Sequence, residues 1–213
     1  MKKLFVIAFL TLGFTATAQN DAKAEALLND VSTKIKAYNN ISLDFKYELN
    51  NTSENISQET RGDVVIEGEK YKLNILGVTR IFDGKTLYTI SPEDEEVTIS
   101  SDNTEDESTI TPSKMLSFYE DGYTYSMDIV QTVKGRKIQY VKLNPIDANS
   151  EIKNVLLGID ATTKHIYNLI EVGKNGTKTV LTVNSFKTDE PISKTLFTFD
   201  ESKYNDYFIN KID

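Results

Sequence analysis

Ile41-Ser42-Leu43-Asp44-Phe45-Lys46-Tyr47-Glu48-Leu49 is the stretch on which the fold turns. Its apolar residues alternate with Ser42, Asp44, Lys46 and Glu48, and a period of two puts all five apolar side chains on one face of a strand. Immediately upstream the period is different. Leu27, Leu28, Val31, Ile35 and Tyr38 recur at steps of three and four, while Lys23, Glu25, Asn29, Lys34 and Lys36 face away, so residues 22–38 read as an amphipathic helix ended by Asn39-Asn40. Downstream the period of two persists. Val64-Val65-Ile66, a turn at Gly68, then Tyr71, Leu73 and Ile75 give two strands; Ile81-Phe82 and Leu87-Tyr88-Thr89-Ile90 flank Asp83-Gly84, a two-residue hairpin signal; Val97 and Ile99 mark another.

Thr111-Pro112 opens a short helix through Tyr119, with Thr111 as N-cap and Pro112 at the first helical position. Strands resume after it. Tyr123, Tyr125, Met127 and Ile129 alternate; residues 136–143 form the next strand; residues 155–160, 166–172 and 177–186 complete a meander turning at Thr162-Thr163-Lys164 and Asn175-Gly176; and Phe197-Thr198-Phe199 adds a last piece. About eleven strands at short spacing, with few helical interruptions and no βαβ alternation, predict a mainly β chain: one antiparallel sheet curled into an unclosed barrel with a small helical lid.

Of the 213 residues, 24 are Lys or Arg against 32 Asp or Glu, for a formal charge of −8, with one His and neither Cys nor Trp. Without cysteine there are no disulfides, thiolate nucleophiles, iron–sulfur clusters or cysteine-based zinc sites. A single His165 supplies no multi-histidine metal centre, and net acidity argues against nucleic acid as a partner, because that affinity scales with Lys and Arg contacts to phosphate. The first residues read as an address. Lys2 and Lys3, the apolar run Leu4 to Phe14, and Ala16-Thr17-Ala18 form a secretory signal with an A-x-A cleavage site, which places a cleaved signal at residues 1–18 and a single domain at 19–213. Eleven apolar residues fall short of the ~20 that a membrane-crossing helix needs. Removing Lys2 and Lys3 leaves 22 basic against 32 acidic residues, a net −10.

Catalytic motifs are missing. No G-x-S-x-G, G-x-x-x-x-G-K-[ST] or G-x-G-x-x-G string occurs. His165 reads as a surface or hydrogen-bonded strand histidine. Asp102, Glu105, Asp106 and Glu107 lack the glycine and regular ligand spacing of a calcium loop and read as a solvated loop, as do Asp94-Glu95-Glu96 beside Pro92. Asn51-Thr52-Ser53 and Asn175-Gly176-Thr177 match a glycosylation acceptor pattern but read better as turns. The chain therefore reads as no enzyme, with no cofactor and no metal. What it has in excess is apolar surface. Two small helices cover only part of a sheet this wide, so the inner face either fills itself or holds an apolar ligand.

The chain resembles the LolA family of periplasmic lipoprotein carriers along most of residues 19–213. The residues that carry the likeness are the opening helix leading into Ser42-Leu43-Asp44-Phe45; Arg61-Gly62-Asp63-Val64; Phe82-Asp83-Gly84-Lys85-Thr86-Leu87-Tyr88, similar to the family's D-G-K-T-L-W/Y string; Pro112 to Leu116; Leu143-Asn144-Pro145, similar to its L-x-P; and the closing Phe197-Thr198-Phe199. The resemblance implies an unclosed β-barrel with a helical lid over an apolar cavity. One feature departs from it. Where family members often carry an Arg-Pro pair whose Arg holds the lid shut, this chain reads Ile66-Glu67-Gly68-Glu69-Lys70, so that contact is not kept.

On this resemblance the expected role is a monomeric periplasmic chaperone. It takes acylated lipoproteins from an inner-membrane lipoprotein-releasing ABC transporter and delivers them to the outer membrane, where a receptor receives them. Two or three chains of about 16 carbons, at ~0.8 kcal/mol per buried CH₂, gain on the order of 25 to 40 kcal/mol gross on burial, so the tails must be hidden in transit and released by an opening lid. The expected cavity walls are Phe45, Tyr47, Val64, Ile66, Tyr71, Leu73, Ile75, Tyr125, Met127 and Ile129, with Tyr71 and Leu73 where the family's lining aromatics fall. The expected lid residues are Val31, Ile35, Met115, Leu116 and Phe118. Met adapts to irregular ligands, and Tyr adds area with a polar tip. The alternative is a sensing or binding module of the same fold, for lipid, glycolipid or lipoprotein.

Overall fold

The structure, a computed structural model, describes residues 13–101 and 111–212. Residues 1–12 of the expected signal and the acidic run Asp102 to Glu107 lie outside the described residues. Helix α1 spans Gly13–Lys36, longer at its N-terminal end than the amphipathic stripe suggests, and the expected cleavage point falls within it. Twelve strands follow: β1 Ile41–Asn51, β2 Ile56–Glu67, β3 Lys70–Ile75, β4 Val78–Phe82, β5 Thr86–Ser91, β6 Glu96–Ser101, then the one-turn helix α2 Pro112–Met115, and β7 Tyr123–Val133, β8 Arg136–Pro145, β9 Ile152–Asp160, β10 Ile166–Gly173, β11 Lys178–Thr188 and β12 Phe208–Ile212.

All twelve strands form one sheet in the order β12-β6-β5-β4-β3-β2-β1-β11-β10-β9-β8-β7. The two ends, β7 and β12, do not pair, so the barrel is unclosed. Neighbours are antiparallel except for β12, which runs parallel to β6, where a wholly antiparallel sheet was expected. The seam that joins the two halves is β1 against β11, Tyr47 opposite Leu181 and Phe45 opposite Val183, with a bulge at Asp44 and Phe45. A bulge bends its strand and increases the local twist, which helps the sheet curl around its inner face.

Local chemistry fixes the turns. Gly84 sits at φ +98°, and Asp83 Oδ1 accepts from Lys85 N and Thr86 N at 2.9 and 2.8 Å, closing a three-residue connection. Asn51, only 2% exposed, accepts from Ser53 N and donates its Nδ2 to Thr177 Oγ1 at 2.9 Å, so two turns grip each other. Its side chain is occupied in the turn rather than presented to solvent. Asp94 accepts from Ser91 Oγ in an exposed hairpin turn.

Two cores lie on opposite faces. The inner one gathers Leu43, Phe45, Val64, Ile66, Tyr71, Leu143, Val155, Leu157, Ile159, Ile166 and Val183 with Leu28 and Val31 of α1 and Leu116 and Tyr119 beyond α2. The outer one gathers Ile81, Ile90, Val97 and Phe197. Phe197-Thr198-Phe199 is therefore not a strand, contrary to the sequence expectation. Phe197 fills the outer core, and Phe199 stacks between Tyr88 at 4.7 Å and Tyr204 at 5.3 Å, so this segment straps the back of the sheet before β12 joins its edge.

The lid segment also departs from expectation. One helix over residues 112–119 was expected; α2 ends at Met115, and a separate 3₁₀ turn covers Phe118–Glu120. Thr111 does cap it, its Oγ1 accepting from Lys114 N at 3.2 Å.

Candidate lipid-binding cavity

Between the inner face and α2 lies an apolar cavity of about 180 Å³. From the first half of the sheet it is lined by Leu43, Phe45 and Tyr47 of β1, Val64 of β2, and Leu73 and Ile75 of β3; from the second half by Leu157, Ile166, Leu169, Leu181, Val183 and Phe186; and from the lid by Pro112, Met115 and Leu116. Apart from the Tyr47 hydroxyl, none of these side chains carries a polar group. Burial against such walls rewards hydrocarbon and nothing that carries charge.

Alternation in each strand delivers these residues to one face, and one glycine shapes the end wall. A Cβ on Gly62 would sit 2.6 Å from both Phe45 Cζ and Asn74 O, so only glycine lets the Phe45 ring lie over β2. A larger depression, about 1020 Å³, is lined by Asp44, Lys46, Glu59, Arg61, Asp63 and other polar groups; its lining suits water and ions rather than lipid.

The expected wall residues divide. Phe45, Tyr47, Val64, Leu73 and Ile75 line the cavity. Ile66 and Tyr71 do not: both are buried in the inner core, Ile66 in the floor of a neighbouring cleft and Tyr71 against Phe82 at 5.6 Å. Tyr125 and Met127 pack against the inner core from β7 without reaching the cavity. Ile129 is 54% exposed and is no wall residue, because the β7–β8 register slips between Met127 and Val130 and carries it out of the alternation. Of the expected lid residues, Met115 and Leu116 line the cavity, Val31 of α1 is wholly buried in the inner core, Ile35 faces the neighbouring cleft, and Phe118 meets Tyr119 and Tyr123 edge-on. Leu43, Pro112, Leu157, Ile166, Leu169, Leu181, Val183 and Phe186 line the cavity without having been expected there, most of them from the second half of the sheet. Their alternation was visible, but the β1–β11 seam that brings them to this cavity was not.

Polar contacts join the segment after α2 to α1. Glu120 Oε1 accepts from Ser32 Oγ at 2.6 Å, and its carboxylate meets Lys36 Nζ at 2.9 Å, so α1 grips the segment that follows α2. These hydrogen bonds, Ser32 first and Lys36 second, hold the Glu120 carboxyl below its ordinary range. Tyr125 OH donates to Tyr119 O at 2.8 Å, tying the same segment to β7. On the far side, Lys34 Nζ donates to Thr163 O at 2.7 Å, and Tyr38 OH shares a 2.8 Å hydrogen bond with His165 Nε2. The His165 ring stacks on Phe186, a cavity wall, at 4.0 Å. Burial, and then the Lys34 charge, push its pKa down, so it is neutral at neutral pH.

Among the described residues no group of His, Asp and Glu is placed to hold a metal ion, and no helix is long and apolar enough to cross a membrane. No curated protein matches the chain. Solved structures do, at low identity: an uncharacterized conserved protein from Thermus thermophilus (9% identical, TM-score 0.60, covering 89% of this chain and 99% of that one); the lipoprotein LppX of Mycobacterium tuberculosis (14%, 0.55, 81% and 98%); and MucB (15%, 0.52, 84% of this chain and 63% of that one). At such identities the likeness shows the fold alone. The sequence profile of the outer membrane lipoprotein carrier protein LolA matches residues 36–200, from the end of α1 through both sheet halves and into the strap; the chain belongs to the LolA family.

Proposed function

We propose that this protein is a lipoprotein carrier of the periplasm. It shelters the acyl chains of lipoproteins in the inner cavity and moves them from the inner to the outer membrane. The observation that carries this reading is the cavity itself: a hydrocarbon-lined space beneath a short lid, in a chain of the LolA family. The cleaved signal expected at residues 1–18 and the net charge of the remainder fit an exported shuttle that does not adhere to anionic bilayers. Its donor would be an inner-membrane releasing ABC transporter, its acceptor an outer-membrane receptor, and its own contribution binding and release without covalent chemistry.

Size says how loading works. A cavity of ~150 Å³ holds one benzene, so about 180 Å³ accepts only a short length of chain. The described state is therefore the closed one, and a full acyl chain enters only when Met115 and Leu116 lift. The test is uptake of an environment-sensitive fatty-acid probe by the protein and by Leu73→Asp. Leu73 is half-buried on the cavity wall, and a carboxylate there should abolish uptake. Unchanged uptake by the folded variant would sink the assignment.

A further inference from the structure

The β3–β4 turn has the backbone of an asparagine–glycine turn and carries a leucine. Ile75 pairs with Val78, which leaves Leu76 and Gly77 as the two turn residues, at φ +53° and +77°. A two-residue turn with both φ values positive favours Asn-Gly or Asp-Gly, because a bulky side chain is strained in the left-handed region. Among the described residues the other non-glycines with positive φ are all polar or charged: Asn55, Glu95, Lys134, Lys164 and Asp189. Leu76 is the exception. It is also the most exposed large apolar side chain described, at 73%, so the demands of the core do not account for it.

A second turn of the same kind borders the same depression. Val133 pairs with Arg136, and Lys134 and Gly135 take φ +49° and +78°. Leu76 and Gly77 line the large polar depression together with Lys134 and Arg136, so one turn brings an apolar tip to it and the other a cationic one. Lys134 and Arg61, both of that lining and both exposed, have no ion-pair partner among the described residues. Its acids belong to strands rather than tips: Glu59 meets Lys46 Nζ at 3.6 Å, Asp63 accepts from Asn74 Nδ2 at 2.8 Å, and Asp44 lies within β1. A protein partner's hot spot gathers several anchors in one patch. Here a single leucine projects beside unpaired cations, and Ile75 and Val78 at its base are half-buried. That combination matches a phospholipid surface, where hydrocarbon lies beneath a layer of phosphate.

We propose that the β3–β4 turn is a membrane-docking finger. Leu76 enters the head-group layer of a phospholipid bilayer, while Lys134 and Arg61 meet lipid phosphates. The chain's overall negative charge and the single anchoring side chain keep the contact brief, as a shuttle requires. Docking also orients the molecule. Ile75, the residue before Leu76, is a wall of the apolar cavity, so the finger brings that wall to the lipid surface. This goes beyond the carrier reading, since docking needs no cargo in the cavity.

The chain has no Trp, so Leu76→Trp places a lone reporter at the tip, and Phe208→Trp places one at an exposed site on the edge strand β12. With phosphatidylcholine vesicles, emission from Leu76→Trp should shift to the blue and be quenched by brominated lipid, and emission from Phe208→Trp should do neither. Flotation of Leu76→Asn with the same vesicles should show binding weaker by about tenfold or more. The melting temperature of Leu76→Asn should not fall, because asparagine suits the left-handed region, so lost binding is not lost folding. An unshifted Leu76→Trp, equal shifts at both positions, or undiminished binding by Leu76→Asn each overturns the finger. Uptake of the fatty-acid probe reads the other claim separately: retained uptake without docking leaves the carrier reading standing, and docking without uptake removes the carrier reading alone.

Discussion

Replacing Glu120 with alanine should unlatch the lid without unfolding the protein. The wild-type carboxylate is held by Ser32 Oγ at 2.6 Å and Lys36 Nζ at 2.9 Å, with the Lys36 and Glu120 side chains 63% and 31% exposed. At that exposure the ion pair is worth at most ~1 kcal/mol. The short hydroxyl–carboxylate bond adds about 1–2 kcal/mol, being charge-assisted. Removing both should shift the closed–open equilibrium by about 2 kcal/mol, a factor of roughly 30. Hydrogen exchange reads this directly. Amides of residues 114–120 should exchange roughly 30-fold faster in Glu120→Ala, while strand amides at Leu143 and Leu157 keep their protection. The fatty-acid probe should associate faster in proportion. Ser32→Ala should reproduce most of the effect, and the double variant should be little worse than Glu120→Ala, because the two side chains act through one bond. Unaltered exchange over 114–120 in Glu120→Ala would refute the clasp, and the lid would then rest on the packing of Leu116 and Tyr119 and on the Tyr125 hydrogen bond.

The same clasp has a pH signature. Glu120 is depressed from its ordinary 4.5, so its contribution is complete above that value and is lost as pH falls through the lower folded-state pKa; probe association should accelerate only in acid well below pH 4.5. His165 is likewise depressed, from 6.5, so the native state resists its protonation and stability should decline as pH falls below about 6.5; urea midpoints should show this decline in the wild type and lack that part of it in His165→Phe. Gly62→Val should cost on the order of 1–3 kcal/mol, because Asn74 O is backbone and cannot retreat, and should reduce probe capacity by driving the Phe45 ring inward. Phe199→Ala, on the opposite face, should lower the melting temperature through lost stacking with Tyr88 and Tyr204 yet leave probe affinity unchanged; lost binding would show that the two cores are coupled.

Much of this architecture is legible one segment at a time. The alternation in residues 41–49 gives β1, and its inward face supplies three cavity residues, Leu43, Phe45 and Tyr47. Thr111-Pro112 marks the start of α2, and Asp83-Gly84 marks the β4–β5 turn, because caps and turns are local chemistry. Errors arise where a residue's fate is set by something distant. Ile129 reads as inward by parity, but a bulge breaks the parity. Phe197-Thr198-Phe199 has strand composition, yet Tyr88, more than a hundred residues upstream, stacks on Phe199 and helps make the segment a strap. Half the cavity wall depends on β11 returning to β1 across well over a hundred residues, and the Glu120 clasp joins residues 84 and 88 positions apart. Neither has a local signature.

The central claim, that the inner cavity exists to carry the acyl chains of lipoproteins, is tested most directly by native mass spectrometry of the protein isolated from its own cell envelope without detergent. The account predicts a loaded fraction in which the added mass resolves, on dissociation, into an acylated polypeptide, and predicts its loss in Leu73→Asp. A protein that emerges empty in every preparation, or whose only adduct is an unacylated polypeptide, would contradict it.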